Sequence, residues 1–273
     1  MMKVEELYET IDELYYEKKI DQVEPFLSKV LESSEREDRY QLAIAACNEL
    51  GGFLRMTSRY EEGAVLYEKA LRYLKLIGAE GTQDFATTQI NYATMLNMSG
   101  KHDEALEIYK KAADILHKCG LDDEYIMAAW YNNISSVYQC KGEKSMAISF
   151  LEKALDVLEN INENNTDVAV TYSNLANLYI EIRDFEKAER YAERAVIMLK
   201  EISGDRDAHY SAAICALGNV YFTKGEYEKA ADLFDRTLKL IERDYGTDND
   251  NYFKVYKNMI LAMEKHKNQE KEE

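Results

Sequence analysis

Asparagine recurs at one interval along this chain. Four of six equivalent positions, spaced by 41 or 42 residues, hold asparagine, and the other two hold glutamate and alanine. In chain order they are Glu49, Asn91, Asn133, Asn174, Ala216 and Asn258. A carboxamide offers both hydrogen-bond donors and an acceptor, so a row of them can hold the C=O and N–H groups of an extended peptide whatever its side chains. The row therefore predicts a surface that binds a peptide backbone, with Glu49 at one end.

Three further asparagines, Asn132, Asn177 and Asn219, fall on the same or a neighbouring helical strip and extend the candidate set. Asparagine inside a helix is mildly unfavourable because its amide competes with the backbone, so repeated use at one register suggests a role. Two alternatives remain open. The amides could satisfy polar groups of a neighbouring helix, or they could simply face water.

No pattern in the chain is typical of an active site or a metal centre. The four histidines are scattered, and no His-Glu-x-x-His, Gly-x-Ser-x-Gly or P-loop sequence occurs. The four cysteines match neither a zinc-ligand spacing nor a compact disulfide framework, and we expect reduced thiols. We therefore expect no catalytic residue, no metal and no cofactor.

Charge narrows the class of partner. The formal net charge is −17, and such a chain repels the phosphates of nucleic acids and the surfaces of anionic membranes. The N-terminal segment is a charged amphipathic stretch, and no run of 18 apolar residues occurs. We expect a cytoplasmic protein that binds neither nucleic acid nor membrane, and whose partner is a neutral to basic protein or peptide segment.

The composition favours helices throughout. The chain is 46% hydrophobic and 31% charged, with one proline and 12 glycines in 273 residues. That is enough apolar material for a folded body, and too little turn-forming material for many short strands. We expect an all-α protein.

Small residues recur in pairs 12 positions apart and define a repeat. One set is Gly51, Ala93, Ser135, Ala176 and Gly218, and the other is Gly63, Ala105, Ala147, Ala188 and Ala230. Two antiparallel helices joined by a tight turn can touch closely only where both carry small side chains at the crossing. The pattern predicts helix hairpins that cannot bury their apolar faces alone and must stack in an array.

The predicted array is one solenoid over residues 1–266. Its repeats cover residues 3–36, 37–80, 81–121, 122–164, 165–205 and 206–247, followed by a capping helix at 248–266. Residues 267–273 form a charged tail that we expect to fray. Each repeat contributes a first and a second helix, and the asparagine row lies on the first helices.

The order of small residue, aromatic and alanine resembles the tetratricopeptide repeat family. That resemblance implies a right-handed α-solenoid whose first helices line a concave, protein-binding side. The family period is 34, and the longer period here is similar to the repeats of kinesin light chain. The inter-repeat loop of that subtype is echoed weakly at residues 204–207 and 246–250. The asparagines resemble those by which tetratricopeptide domains of chaperone cofactors and of peptide-sensing bacterial regulators hold ligand backbones.

Two functions follow as hypotheses. The first is a non-catalytic adaptor that binds a peptide or flexible segment in the groove. Acidic residues, among them Glu5, Glu9 and Asp12, come early on the groove strip, whereas Lys254 and Lys257 come late. The basic part of a bound segment would then lie toward the N-terminal repeats. The alternative is a self-associating scaffold, a homo-oligomer whose groove is occupied by a neighbouring chain.

Overall fold

A computed structural model describes residues 2–121, 124–161, 166–206, 208–247 and 250–272. Within these ranges the chain forms thirteen α-helices and one 3₁₀ turn, with no strand. The helices are α1 Val4–Tyr16, α2 Ile20–Arg36, α3 Tyr40–Met56, α4 Tyr60–Leu76, α5 Gln83–Met98, α6 His102–Lys118, α7 Tyr125–Cys140, α8 Lys144–Ile161, α9 Thr166–Glu181, α10 Phe185–Ser203, α11 Ala208–Lys224, α12 Tyr227–Tyr245 and α13 Asp250–Glu272. The prediction of an all-α solenoid is confirmed.

The chain divides into two compact units, which we call unit 1 (Met1–Lys141, holding α1 to α7) and unit 2 (Gly142–Glu273, holding α8 to α13). In each unit every helix packs against the next one along the chain. In unit 2 the first helices α9 and α11 also pack on each other, and α13 packs on α12.

The hairpin turns share one backbone device. Five residues before the small residue of the second helix, the chain takes a positive φ, for example at Ser58 (59°), Gly100 (82°) and Arg183 (63°). This left-handed residue lets the next amide reach back along the first helix, as Arg59 does to the Leu54 carbonyl at 2.8 Å. The turn ends the first helix and starts the second after only three residues.

The small residues lie where the two helices of a hairpin cross. Gly51 leaves room for the ring of Tyr67, since a Cβ there would lie 2.7 Å from two ring carbons. Gly218 does the same for Phe234, at 2.8 Å. In these two hairpins the predicted close approach therefore depends on a missing methyl group on the first helix, opposite an aromatic ring on the second.

The last helix is longer than the sequence predicts. Helix α13 runs to Glu272, six residues beyond the predicted end at His266, because residues 267–272 contain no glycine or proline to end it. The kinesin-light-chain-like loops were expected to include Asp207, Asp248 and Asn249, which lie outside the described residues.

Candidate functional site

The candidate site lies on the first helices, on the side facing away from their hairpin partners. A residue two positions before the small residue is rotated by about 200° from it. In unit 1 this places Glu49 on α3, Asn91 on α5 and Asn133 on α7, and all three are half-buried. Equivalent side chains thus stand on three successive first helices.

Unit 2 carries its own set of half-buried asparagines. Asn174 and Asn177 lie one turn apart on α9, and Asn219 lies on α11, which packs against α9. Alanine replaces the amide at residue 216, and Asn258 lies on α13. The structure therefore brings three amides onto the α9–α11 pair and a fourth onto the last helix.

Most of these carboxamides are not used for internal structure. Among the described residues, the side chains of Asn91, Asn133, Asn177, Asn219 and Asn258 make no hydrogen bond. A half-buried amide gives up part of its hydration without an internal partner in return, and a ligand can supply that partner.

Asn132 behaves differently. Its Nδ2 donates to the Ala128 carbonyl of its own helix at 3.3 Å. Such back-bonding within a helix occupies one amide donor, so Asn132 has less capacity for a ligand than its neighbour Asn133.

Two amides that sequence reasoning did not single out fasten neighbouring first helices. Asn97 Nδ2 donates to Ser136 Oγ on α7 at 3.2 Å, and its Oδ1 lies 2.7 Å from His102 Nδ1 on α6. Asn48 Nδ2 lies 3.5 Å from Thr88 Oγ1 on α5. Asn48 lies three residues before the small residue of its helix, and Asn97 lies four residues after the small residue of its own. These offsets rotate the side chains by only about 60° and 40° from the small residue, toward the helix contacts. The register of the two asparagines could therefore have identified them.

The surface around the row in unit 1 is open and carries small side chains. Thr87 on α5, and Ala129 and Ser136 on α7, lie on the same strip as the asparagines and are exposed. Short side chains let a peptide backbone approach the amides without obstruction.

The α1 end of this strip is acidic. Glu49 is half-buried without an ion pair among the described residues, and its pKa is raised by burial and secondarily by the nearby Asp12 carboxylate. Glu5, Glu9 and Asp12 are exposed on α1. The pKa of Tyr15 is raised by burial and then by the Glu49 charge. Negative potential therefore accumulates where α1 and α3 meet.

Within the described ranges, no three His, Cys, Asp or Glu side chains are grouped so that they could hold a metal ion. None of the helices described is both long and apolar enough to cross a bilayer. The groups on the candidate strip are hydrogen-bonding amides and carboxylates, and what they can do is bind.

A family model described as tetratricopeptide repeat matches residues 41–118, 84–160, 125–201 and 167–243. These overlapping matches cover more than half of the chain. The chain belongs to the tetratricopeptide repeat family. Tetratricopeptide repeats generally serve as protein–protein interaction modules rather than as enzymes. Membership of the family supports this general role for the chain.

Several solved structures share this fold. BtubC (BKLC) from P. vanneervenii aligns with a TM-score of 0.67 and 22% identity, over 85% of this chain and 94% of that one. A putative kinesin light chain of Podospora anserina gives 0.57 and 16%, over 73% and 95%. A thermophilic tetratricopeptide protein of Thermus thermophilus gives 0.59 and 17%, over 81% and 99%. No curated protein matches the chain in sequence. The resemblance to long-repeat tetratricopeptide proteins is confirmed.

Proposed function

We propose that this tetratricopeptide protein is a non-catalytic adaptor that binds an extended peptide or flexible protein segment along its first helices. The observation that carries the proposal is the pair Asn91 and Asn133. They occupy equivalent positions on successive first helices, are half-buried, and make no side-chain hydrogen bond among the described residues.

The spacing suits an extended chain. Packed helices lie about 8–10 Å apart, and an extended backbone advances about 3.3 Å per residue. Successive asparagines would therefore meet about every third residue of the ligand. Each carboxamide can donate to a ligand C=O and accept from a ligand N–H, so the row selects for extended backbone rather than for particular side chains.

The charge of the strip supports a direction for the ligand. Glu5, Glu9, Asp12 and Glu49 concentrate negative potential at the α1 end of unit 1. A neutral to basic segment in a cytoplasmic setting, with its basic residues over α1 and α3, is the partner that this field favours.

A peptide-library experiment tests the proposal. Full-length protein is screened against an array of neutral and basic peptides. Each peptide is about 12 residues long, which is four times the three-residue spacing. The best binder is then titrated by calorimetry. Replacing both amides, Asn91→Ala with Asn133→Ala, removes about two to four hydrogen bonds worth roughly 0.5–1.5 kcal/mol each, so the Kd should rise at least about fivefold. The melting temperature should change little, because neither amide is bonded within the described chain.

Asn97→Ala is the matched control. Its amide joins α5 to α6 and α7, so this substitution should lower the melting temperature by more than the double variant does. Peptide affinity should change by less than threefold. A double variant that binds the selected peptide as tightly as the wild type would remove the asparagines from the binding mechanism.

Self-association remains a second candidate because of the last helix. On α13 four large apolar side chains are 43–52% exposed, namely Phe253, Tyr256, Leu261 and Met263. Burying such side chains against another copy would be favourable. Light scattering over a hundredfold dilution tests this: a dimer that dissociates on dilution and is weakened by Phe253→Ser supports it, and a monomer at every concentration excludes it.

A further inference from the structure

A second row of equivalent residues runs along the second helices, and it is basic. Six residues after the small position of each second helix, a position that Val23 occupies in the diverged first repeat, the chain carries a cation in all six repeats. The residues are Lys29, Lys69, Lys111, Lys153, Arg194 and Arg236. In a chain of net charge −17, a cation at every copy of one position indicates a shared task. This row is separate from the asparagine row, which lies on the first helices.

In unit 1 the contact between α2 and α4, the second helices of neighbouring repeats, shows what the cation binds. Lys69 Nζ lies 2.8 Å from Glu35 Oε1, and the Tyr73 hydroxyl donates to the same oxygen at 2.6 Å. Glu35 stands twelve residues after the small position of the preceding second helix, α2. The acid from one repeat therefore fills a site formed by the cation and the hydroxyl of the next.

In unit 2 the contact between α8 and α10 is filled in a related way. Glu159, at the same position as Glu35, accepts a hydrogen bond from the Tyr172 hydroxyl at 2.7 Å. The Arg194 guanidinium lies over the Tyr172 ring, 4.7 Å from its centroid. At both contacts the residue twelve positions after the small residue is a glutamate, and side chains of the protein itself bind its carboxylate.

At two other contacts the acid is replaced by lysine, and a cleft is found there. Lys75 and Lys200 take the place of Glu35 and Glu159. The cleft with Lys75, between α4 and α6, has a volume of about 570 Å³, and the cleft with Lys200, between α10 and α12, about 490 Å³. Each unit thus holds one such cleft, built from equivalent positions.

The cleft of unit 1 has an apolar floor, and the charged side chains that line it are four cations and three acids, namely Arg72, Lys75, Lys111 and Lys118 with Glu68, Glu80 and Asp114. Lys75 and Lys111 line it together with Phe85 and Ile115. Ile115 stands where the α2–α4 contact has Tyr73, so the two positions equivalent to Glu35 and Tyr73 hold neither an acid nor a hydroxyl in this cleft. Glu80 approaches Lys75 at 3.4 Å, but both side chains are more than half exposed, so this pair is weak.

Gln89 adds an unsatisfied group to this cleft. Its side chain is 7% exposed and lines the floor, and its buried Oε1 has no hydrogen-bond partner among the described residues. A buried acceptor without a partner is unfavourable, and a peptide N–H placed beside it would remove that cost.

The cleft of unit 2 repeats the arrangement with different apolar residues. Lys200 and Arg236 are two of its three cations, with Lys239 the third and Asp205 its one acid, and Tyr210 and Leu240 correspond to Phe85 and Ile115. Arg236 lies within 3.4 Å of the Tyr210 hydroxyl. Ile214 stands in the position of Gln89, so this cleft has no unsatisfied amide to offer.

We propose that these two clefts bind acidic protein segments, with an Asp or Glu side chain of the partner taking the place that Glu35 fills in the α2–α4 contact. An apolar neighbour of that residue would pack on the floor, and in unit 1 a peptide N–H would reach Gln89. The second helices would then give the protein a binding surface for acidic partners, separate from the one proposed for the asparagine row.

A matched pair of peptides tests this on the full-length protein. The probe is fluorescein-labelled Ser-Leu-Glu-Glu-Leu-Phe-Ser, amidated at its C-terminus, and its partner has both glutamates replaced by glutamine. Fluorescence anisotropy should give an affinity at least tenfold higher for the acidic peptide, and added salt should weaken it. Equal affinity for the two peptides, or no binding of either, overturns the proposal.

Charge reversal localises the binding. Lys75→Glu with Lys200→Glu restores the acid found in the filled contacts, so the double variant should stay folded and lose at least tenfold in affinity. The control is Lys18→Glu with Lys265→Glu, which makes the same charge change at two exposed lysines outside the clefts and outside the basic row and should cost less than threefold. Equal losses in both variants would show that only net charge matters.

Two further variants separate this surface from others. Lys75→Glu alone should weaken binding more than Lys200→Glu alone, because only the unit 1 cleft contains Gln89; the reverse order overturns the role of that residue. Asn91→Ala with Asn133→Ala should leave the affinity for the acidic peptide unchanged. A loss in that variant would place the acidic peptide on the first helices and overturn the cleft assignment.

Discussion

Gly51 and Gly63 face each other where α3 crosses α4. A Cβ added to Gly63 would lie 3.4 Å from the Gly51 carbonyl oxygen and 2.0 Å from the Met95 methyl group of α5. The same crossing therefore brings together two helices of one hairpin and the first helix of the next. Any added volume here disturbs both the hairpin and its stacking.

Gly51→Ala should destabilise unit 1 in spite of alanine's higher helix propensity. The new methyl group meets the buried ring of Tyr67 at 2.7 Å, and overpacking of this kind costs about 1–3 kcal/mol, against a propensity gain of at most about 1 kcal/mol. Gly52→Ala is the control, because its nearest neighbour is the Tyr67 hydroxyl at 4.0 Å. Thermal unfolding should show a lower melting temperature for the first and an unchanged or higher one for the second. The opposite order would contradict the packing described at this crossing.

Ser58→Gly should stabilise the α3–α4 turn. Ser58 has a φ of 59°, a left-handed conformation that costs a non-glycine residue about 1 kcal/mol relative to glycine. We expect a gain of about 0.5 kcal/mol in the free energy of unfolding, measured in urea. Gly100→Ala is the reciprocal test: a Cβ there meets nothing within 4 Å, so the expected loss of about 1 kcal/mol comes from the backbone alone. A Gly100→Ala variant as stable as the wild type would show that the turn has another conformation available.

The sequence predicts the hairpins well because their cause is local. Small residues 12 apart, such as Ala93 and Ala105, place two helices and the turn between them, and the observed helices follow that register. The left-handed turn residues are less visible, since Ser58 and Arg183 carry no glycine signal. Contacts between repeats are harder still to predict. That Asn97 joins α5 to α6 and α7, and that Lys75 and Lys111 line the same cleft, depends on which side chains neighbouring repeats bring together.

Glu49→Gln should stabilise unit 1 at neutral pH. Because burial and then Asp12 raise the pKa of Glu49, the folded state holds this proton more tightly than the unfolded state. The ordinary pKa of a glutamate is 4.5. As the pH rises from that pKa through the raised pKa of the folded state, the stability that protonated Glu49 contributes is therefore lost. The variant cannot ionise at residue 49, so its free energy of unfolding should exceed that of the wild type by up to about 1 kcal/mol. Its advantage in melting temperature should grow as the pH rises above 4.5, and a constant difference would contradict the raised pKa.

The four thiols should fall into two classes of reactivity. Cys119 and Cys140 are exposed, whereas burial raises the pKa of Cys47 to about 12 and that of Cys215 to about 11. Since the thiolate is the reactive form, a dithionitrobenzoate reagent at about pH 8 should modify two thiols quickly and the others only on unfolding in urea. The variant with Cys119→Ser and Cys140→Ser should show no fast phase. Rapid modification of a third thiol would mean that Cys47, which is buried, or Cys215, which is half-buried, becomes accessible to the reagent.

The turns also bear on how such a chain can grow. At Gly100 and Gly225 an added Cβ would meet nothing within 4 Å, and from the second hairpin to the sixth the distance from one hairpin to the next is held at 41 or 42 residues. A gene segment that encodes one such interval therefore encodes a complete hairpin: its helix crossing, its turn, and the two faces that pack on the preceding and the following hairpin. Copied in frame, it would arrive already fitted to its neighbours, so duplication could lengthen this protein without a new core having to be invented.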